Sequence, residues 1–260
     1  MIERTLLGIL LLVGIGCGPI TQSNKRPSEA GAAFLYWTMA RTYPDGQFHT
    51  EKYTEALAQR RLEAQLRGGQ NAWEALGPAN IGGRTLCLAI HPLDSNILWA
   101  GSASGGLWKT TKAGSGPNAW QRVETGHPVL GVGAIAIDPS NPKVMYIGTG
   151  EVYNLENSAP NVAFRTTRGT YGIGILKSTD GGVTWTKSLD WSYGDLRGVQ
   201  DIQLNPLRPA TVFAATTEGL YRSYDAGKTW ANIHPVRMAV DIALHPTDTT
   251  KLYVTYGSLD

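Results

Sequence analysis

Short alternating apolar runs, each closed by a turn proline, recur along the chain: LCLAIHP to Pro92, AIAIDP to Pro139, DIQLNP to Pro206 and DIALHP to Pro246. The intervals of about 40–65 residues are those of a repeated supersecondary unit. Aligned on the prolines, each unit reads as four short strands separated by Gly, Pro, Asn and Asp turns. In the second unit these are VGAIAI (132–137), VMYIGTG (144–150), GIGILKS (172–178) and TWTKSL (184–189). The third repeats them with VQDIQL, TVFAAT, GLYRS and TWANI. A four-stranded unit of this length cannot bury both faces alone, so copies stack around an axis. The pattern predicts an all-β chain, a β-propeller of four-stranded blades.

Between the third and fourth strands, two units carry near copies of one turn, STDGGVTW (178–185) and SYDAGKTW (223–230). Ser178, Asp180, Gly182 and Trp185 match Ser223, Asp225, Gly227 and Trp230. The Asp is expected to accept from nearby backbone N–H groups, the Gly to supply a positive φ, and the Trp to pack back under the turn. That is a structural staple. A metal or catalytic role for Asp180 or Asp225 lacks a His, Cys or second carboxylate at ligand spacing. The first unit has a degraded copy, TTKAGSGPNAW (110–120), in which only Thr110, Gly114 and Trp120 echo the pattern, so a looser turn is expected there.

These turns resemble the Asp-box (BNR) repeat of sialidases, the sortilin ectodomain and xyloglucanase-type propellers. WEALGPANIGGRT (73–85), ILWAGSASGGLWKTT (97–111) and GTGE…GIGILKSTDGGVTW (148–185) are similar to large secreted BNR-repeat proteins of Bacteroidetes-type bacteria, described as sortilin-like or glycosyl-hydrolase-like. The resemblance covers about residues 71–260 and implies the fold far more than an activity, because the same hairpin serves enzymes and binding proteins. In xyloglucanase-type propellers a catalytic Asp precedes the Gly-Gly of the first unit's second-to-third strand loop; here GSASGG (101–106) puts Ala103 there. The sialidase arginine motif is also absent, and FRTT (164–167) does not replace it. Three full units plus a fourth stopping after its second strand, LYVTYGSLD (252–260), make about three and a half blades. Closed propellers need at least about four, so a fragment with an open, aggregation-prone edge is expected.

Composition adds little to this picture: charge is moderate, and a net charge of +2 points to neither nucleic acid nor an acidic membrane surface. No basic stripe with interleaved aromatics suggests nucleic-acid binding. Of two cysteines, Cys87 lies between Leu86 and Leu88 on an inner strand and reads as a small core residue, and no disulfide framework is expected. The other, Cys17, ends an apolar run, LLGILLLVGIGCG (6–18), preceded by Arg4 and too short for a stable span. Residues 1–17 therefore read as a signal peptide with a lipobox ending at Cys17, although Gly14 stands where Leu is usual. The expected product is a cell-envelope lipoprotein anchored to the membrane at Cys17, ordinary secretion being the alternative. Residues 18–31 suit a flexible tether. Residues 32–70 read as a helical N-terminal extension, with an exposed helix over 51–69 and FLYWTMARTYP (34–44) as a short helix pinned to the propeller, and 71–260 as the blades.

Function is expected on the face where the second and third strands of each unit join. There the second unit has an insertion, EVYNLENSAPNVAFRTTRGTY (151–171), holding Glu151, Tyr153, Asn154, Glu156, Asn157, Arg165 and Arg168. The loop DWSYGDLRG (190–198) adds Trp191, Tyr193, Asp195 and Arg197. Aromatics with carboxylates and amides stack on and hydrogen-bond sugars; equally, such a loop caps a neighbouring blade. Cys87, Ala134, Asp201 and Asp241 fall at equivalent inner-strand sites, so two blades place carboxylates in one layer, either for acid/base work or to bond the neighbouring blade's backbone. The five histidines are scattered, and no nucleophile triad, P-loop, zinc spacing or cofactor motif appears. The leading reading is an exported propeller that binds a glycan polymer or a protein ligand. One alternative is a glycoside hydrolase completed by further blades, with Glu151 the best local carboxylate; another is an assembly factor for a membrane complex.

Overall fold

The computed structural model describes residues 28–47, 49–66, 83–129, 131–159, 162–191 and 196–257. Residues 1–27, on which the signal peptide, Cys17 and most of the tether were expected, lie outside these. The chain divides into two compact units, residues 1–49 and 50–260.

In the first unit, helix α1 spans Glu29–Thr42. It starts inside the stretch read as tether, because Ser28 caps it, its hydroxyl accepting from Gly31 N–H at 3.1 Å, and Ala30, Ala32 and Ala33 are strong helix formers. Phe34 stacks on Trp37, and Arg41 lies 4.0 Å over the Trp37 ring. The second unit opens with helix α2, Thr50–Leu66. Among the described residues no helix is long and apolar enough to cross a membrane.

The remainder of the second unit is β. Blade 1 is β1 (Thr85–His91), β2 (Asp94–Ser102), β3 (Leu107–Thr110) and β4 (Trp120–Val123), paired in that order. Blade 2 is β5 (Val132–Ile137), β6 (Met145–Thr149), β9 (Gly174–Ser178) and β10 (Thr186–Asp190). Between its second and third strands, the stretch read as an insertion loop forms a hairpin of its own, β7 (Asn154–Ala159) with β8 (Val162–Thr166). Blade 3 is β11 (Val199–Leu204), β12 (Val212–Thr216), β13 (Gly219–Ser223) and β14 (Ala231–His234), and β15 (Ala239–Leu244) pairs with β16 (Leu252–Tyr256) as the start of a fourth.

The inner strands β1, β5, β11 and β15 lie side by side, as blades around an axis require. Each slips register one residue before Cys87, Ala134, Asp201 or Asp241, which pair with Gly101, Gly148, Ala215 and Thr255. The equivalence inferred from the turn prolines is thus the one in the fold. Alternation explains the core: Cys87, Ala89 and Trp99 of blade 1 meet Ile135, Ile137 and Met145 of blade 2. Ala134, Ala136 and Tyr146 then meet Ile202 and Leu204, and Phe213 and Ala215 meet Ile242 and Leu244. Each fully buried aliphatic here stabilises by about 1.5–3 kcal/mol. Close approach is needed between blades 1 and 2, where a Cβ on Gly101 would lie 2.5 Å from Cys87 Sγ and 2.4 Å from the Val132 carbonyl.

The paired Ser-x-Asp turns hold as the sequence predicts. Asp180 Oδ1 accepts from the N–H groups of Val183 (3.0 Å) and Thr184 (2.9 Å). Asp225 repeats this with Lys228 and Thr229, both at 2.9 Å. Gly182 and Gly227 take φ of +85° and +79°, and the Trp185 indole donates to the Gly182 carbonyl at 3.1 Å. In blade 1 the Thr110 hydroxyl stands in for the serine, accepting from Lys112 and Gly114 at 3.1 and 3.3 Å, with no carboxylate. The turns also reach the preceding blade. A Cβ on Gly182 would fall 2.3 Å from the Trp99 ring, the Tyr146 hydroxyl donates to Ala226 O (2.9 Å), and Ser188 donates to Gly227 O (2.6 Å).

Candidate functional site

At the end of the blades away from the Ser-x-Asp turns, one backbone bond recurs. The residue after each second strand donates its N–H to the residue just before the inner strand: Ala103 to Arg84 (3.1 Å), Gly150 to Gly131 (2.9 Å), Thr217 to Gly198 (3.1 Å) and Gly257 to Met238 (2.9 Å). The next residue in each blade is therefore equivalent, and it is Ser104, Glu151 and Glu218 in blades 1 to 3. Two successive blades place a glutamate at one position on one face.

Glu151 is buried and held by Arg84, which stands just before β1. Arg84 Nη2 donates to Oε2 at 2.7 Å while Nη1 pairs with Oε1, a bidentate contact between blades 1 and 2. The carboxylate in turn raises the Arg84 guanidinium above its ordinary value. Glycine is required alongside, since a Cβ on Gly169 would meet Glu151 Oε2 at 2.7 Å and the Ala103 carbonyl at 2.4 Å. Both oxygens of Glu151 are thus engaged by one guanidinium, and the pair ties blade 2 to blade 1.

Glu218 was not singled out from the sequence, although aligning GTGE (148–151) with ATTE (215–218) on the turn prolines reveals it. Its Oε1 accepts from Arg165 Nη2 of β8 at 2.5 Å and from the Thr217 hydroxyl at 3.2 Å, and Arg197 Nε lies 3.8 Å away. Two of the arginines expected to meet ligand are thus anchored on blade 3.

The other expected residues divide. The Tyr153 ring is covered by the Arg168 guanidinium at 4.5 Å, and Tyr153 N–H closes the base of the hairpin on Thr166 O at 3.1 Å. Asn154 begins β7, and Glu156 and Asn157 follow on its backbone with side chains outside the described part. Tyr193 and Asp195 lie outside the described residues. Trp191 corrects the expectation of an exposed stacking platform: it is 6% exposed, packed in the core between blades 2 and 3 with its ring edge-on to Tyr221 at 5.7 Å. Its apolar ring is worth more in that core than at the surface.

The axial carboxylates separate likewise. Asp201 Oδ2 accepts from Ile242 N–H of the next blade at 3.1 Å, and Oδ1 from Ile202 N–H at 2.8 Å. Burial raises its pKa. It stitches β11 to β15, while Asp241 is exposed. Among the described residues no cluster of three His, Cys, Asp or Glu could hold a metal ion.

No protein-family model matches the chain. It is similar to an oligoxyloglucan reducing-end-specific xyloglucanase of Emericella nidulans, 23% identical over 215 residues, which are 65% of this chain and 26% of that protein. A probable enzyme of the same description from Neosartorya fischeri is 22% identical over 237 residues, 72% of this chain and 28% of its own length. The chain thus spans about a quarter of these relatives. Among solved structures, an ancestral GH74 enzyme superposes with a TM-score of 0.53 at 17% identity, over 72% of this chain and 23% of that one. The likeness to this enzyme supports the propeller fold.

Proposed function

We propose that the protein containing these blades is a glycoside hydrolase acting on xyloglucan-type β-glucans, and that the face bearing Glu151 and Glu218 receives the polysaccharide. The observation that carries this is the similarity to two xyloglucanases across 65% and 72% of the chain, blades included. It favours the hydrolase over the non-catalytic binder that the sequence first suggested. The turn geometry supports reading these repeats as Asp boxes. Glu151 and Glu218 are the carboxylates that this face offers to a sugar ring.

One specific observation favours a second reading, glycan binding without turnover: Ala103 leaves blade 1 without a carboxylate at the position where xyloglucanase-type propellers carry one, and Glu151 is committed to Arg84. Calorimetry with xyloglucan oligosaccharides, run beside chromatographic detection of their cleavage, separates the two. The expected outcome is binding with turnover that falls about 100-fold or more in Glu151→Gln. Binding with no turnover in the native protein supports the second reading, and neither activity overturns the proposal.

Export follows from the apolar leader at 6–18 and its small residues before Cys17. Palmitate labelling is expected at Cys17 and lost in Cys17→Ala; a Cys17→Ala protein that still fractionates with membranes argues against the anchor.

A further inference from the structure

A β-hairpin of two short strands is marginal in water without an anchor, and β7–β8 projects from blade 2 on strands of 6 and 5 residues. At its base, Tyr153 N–H bonds Thr166 O, and the Tyr171 hydroxyl donates to Arg165 O at 2.7 Å. Among the described residues, the Arg165–Glu218 pair, both side chains only 16% exposed, ties it to the next blade, and Gln200 of β11 donates to Val152 O at its stem. Glu218 Oε1 takes Arg165 at 2.5 Å and faces Arg197, on the run into β11, at 3.8 Å. The glutamate is itself fixed: its N–H donates to Thr216 Oγ1 at 3.1 Å, the Thr217 hydroxyl donates to Oε1 at 3.2 Å, and Asn232 donates to its carbonyl at 2.9 Å. Arg197 also lies 5.4 Å from the buried Trp191 ring, so the second loop is gripped at both of its described ends.

We propose that Glu218 is the positioning residue of the ligand face: one carboxylate on blade 3 that fixes both the β7–β8 hairpin and the segment entering β11. The inference rests on the glycan reading for its ligand. A charged pair largely out of water is screened little and is strongly orienting, and ordering the two segments before a sugar arrives removes that cost from binding. Glu218 need not touch the ligand.

The test uses the full chain and Glu218→Gln, which keeps size and an acceptor for Thr217 while removing the charge. Hydrogen exchange read by mass spectrometry is expected to rise about tenfold in both 154–166 and 196–199, affinity for xyloglucan oligosaccharides to fall about tenfold, and Tm to stay within about 4 °C. The charge-reversed double variant Arg165→Glu/Glu218→Arg is expected to restore protection of the hairpin. Unchanged exchange in either segment overturns the proposal, as does exchange raised evenly across blade 3, which marks a merely structural glutamate. Equal oligosaccharide affinity in native and Glu218→Gln proteins overturns it as well. Should the native chain bind no oligosaccharide while Glu218→Gln still loosens both segments, the glycan reading fails and the positioning role stands.

Discussion

At the scale of single residues, Asp180 shows how much organisation one exposed carboxylate can impose. It collects two backbone N–H groups and the hydroxyls of Ser178 and Thr184, the latter at 2.5 Å, and these bonds, Thr184's first, hold its carboxyl down to about 2 from an ordinary 3.8. The folded value is depressed, so the contribution to stability is present above about pH 4 and lost as pH falls through about 2. Asp180→Asn is therefore expected to lower Tm at pH 7, with the gap from native protein closing between pH 4 and pH 2. A gap independent of pH would mean that shape, not charge, matters at this turn. Beneath it, Trp185→Ala is expected to cost about 3–5 kcal/mol in urea unfolding, because a buried ring leaves a cavity. Gly182→Ala adds strain at φ +85° to a clash with Trp99 and is expected to cost about 2–5 kcal/mol. Cys87 is equally a matter of surroundings. Its half-buried place on the inner strand pushes its thiol up to about 12, so the Cys87 peptide should resist iodoacetamide at pH 8 in the native protein and react in urea; labelling of the native form refutes its packing against blade 2.

At the scale of elements, what could be read from the chain was what repeats. Turn prolines and period-two alternation place the blade strands to within a residue or two, and they predict the register equivalence of Cys87, Ala134, Asp201 and Asp241. The two Ser-x-Asp turns were legible for the same reason, every contact they use within themselves being local. What reaches between blades was not: the seat of Gly182 on Trp99 joins residues 83 apart, by subtraction of their numbers. The β7–β8 hairpin was hidden because NLENSA carries no apolar alternation; its strand character shows in its pairing with β8. Arg165 was named as a ligand contact on residue type, whereas its partner Glu218 lies 53 residues away and is visible only once blades 2 and 3 are superposed. Candidate sites chosen by residue type thus say little about which side chains remain available, since Arg165 and Arg197 face Glu218 and Trp191 is buried.

At the scale of the molecule, the same inter-blade face recurs four times with unequal cover. By strand register, Leu88 on β1 stands where Ile202 and Ile242 stand on β11 and β15, and Ile90 where Leu204 and Leu244 stand. Ile202 and Ile242 are 2% and 3% exposed and Leu204 and Leu244 partly buried, whereas Leu88 and Ile90 are 67% and 63% exposed, since no described blade precedes β1. At the other end Tyr253 of β16 occupies the position of Trp99 and Tyr146, both essentially buried, yet is 67% exposed. One end offers aliphatic knobs and the other an aromatic seat, and complementary faces at opposite ends of one chain make a heterologous contact. The 260-residue chain made by itself is therefore expected to associate head to tail as its concentration rises, followed by sedimentation velocity. Leu88→Lys should suppress this association while leaving Tm within about 4 °C of native, because the side chain is in water in the monomer. The same change two blades on, Ile202→Lys, should instead prevent folding, because the charge would be buried between blades 2 and 3 without a partner. Association that persists in Leu88→Lys shifts the contact away from β1, and the exposed edge of β16 becomes the surface to disrupt next.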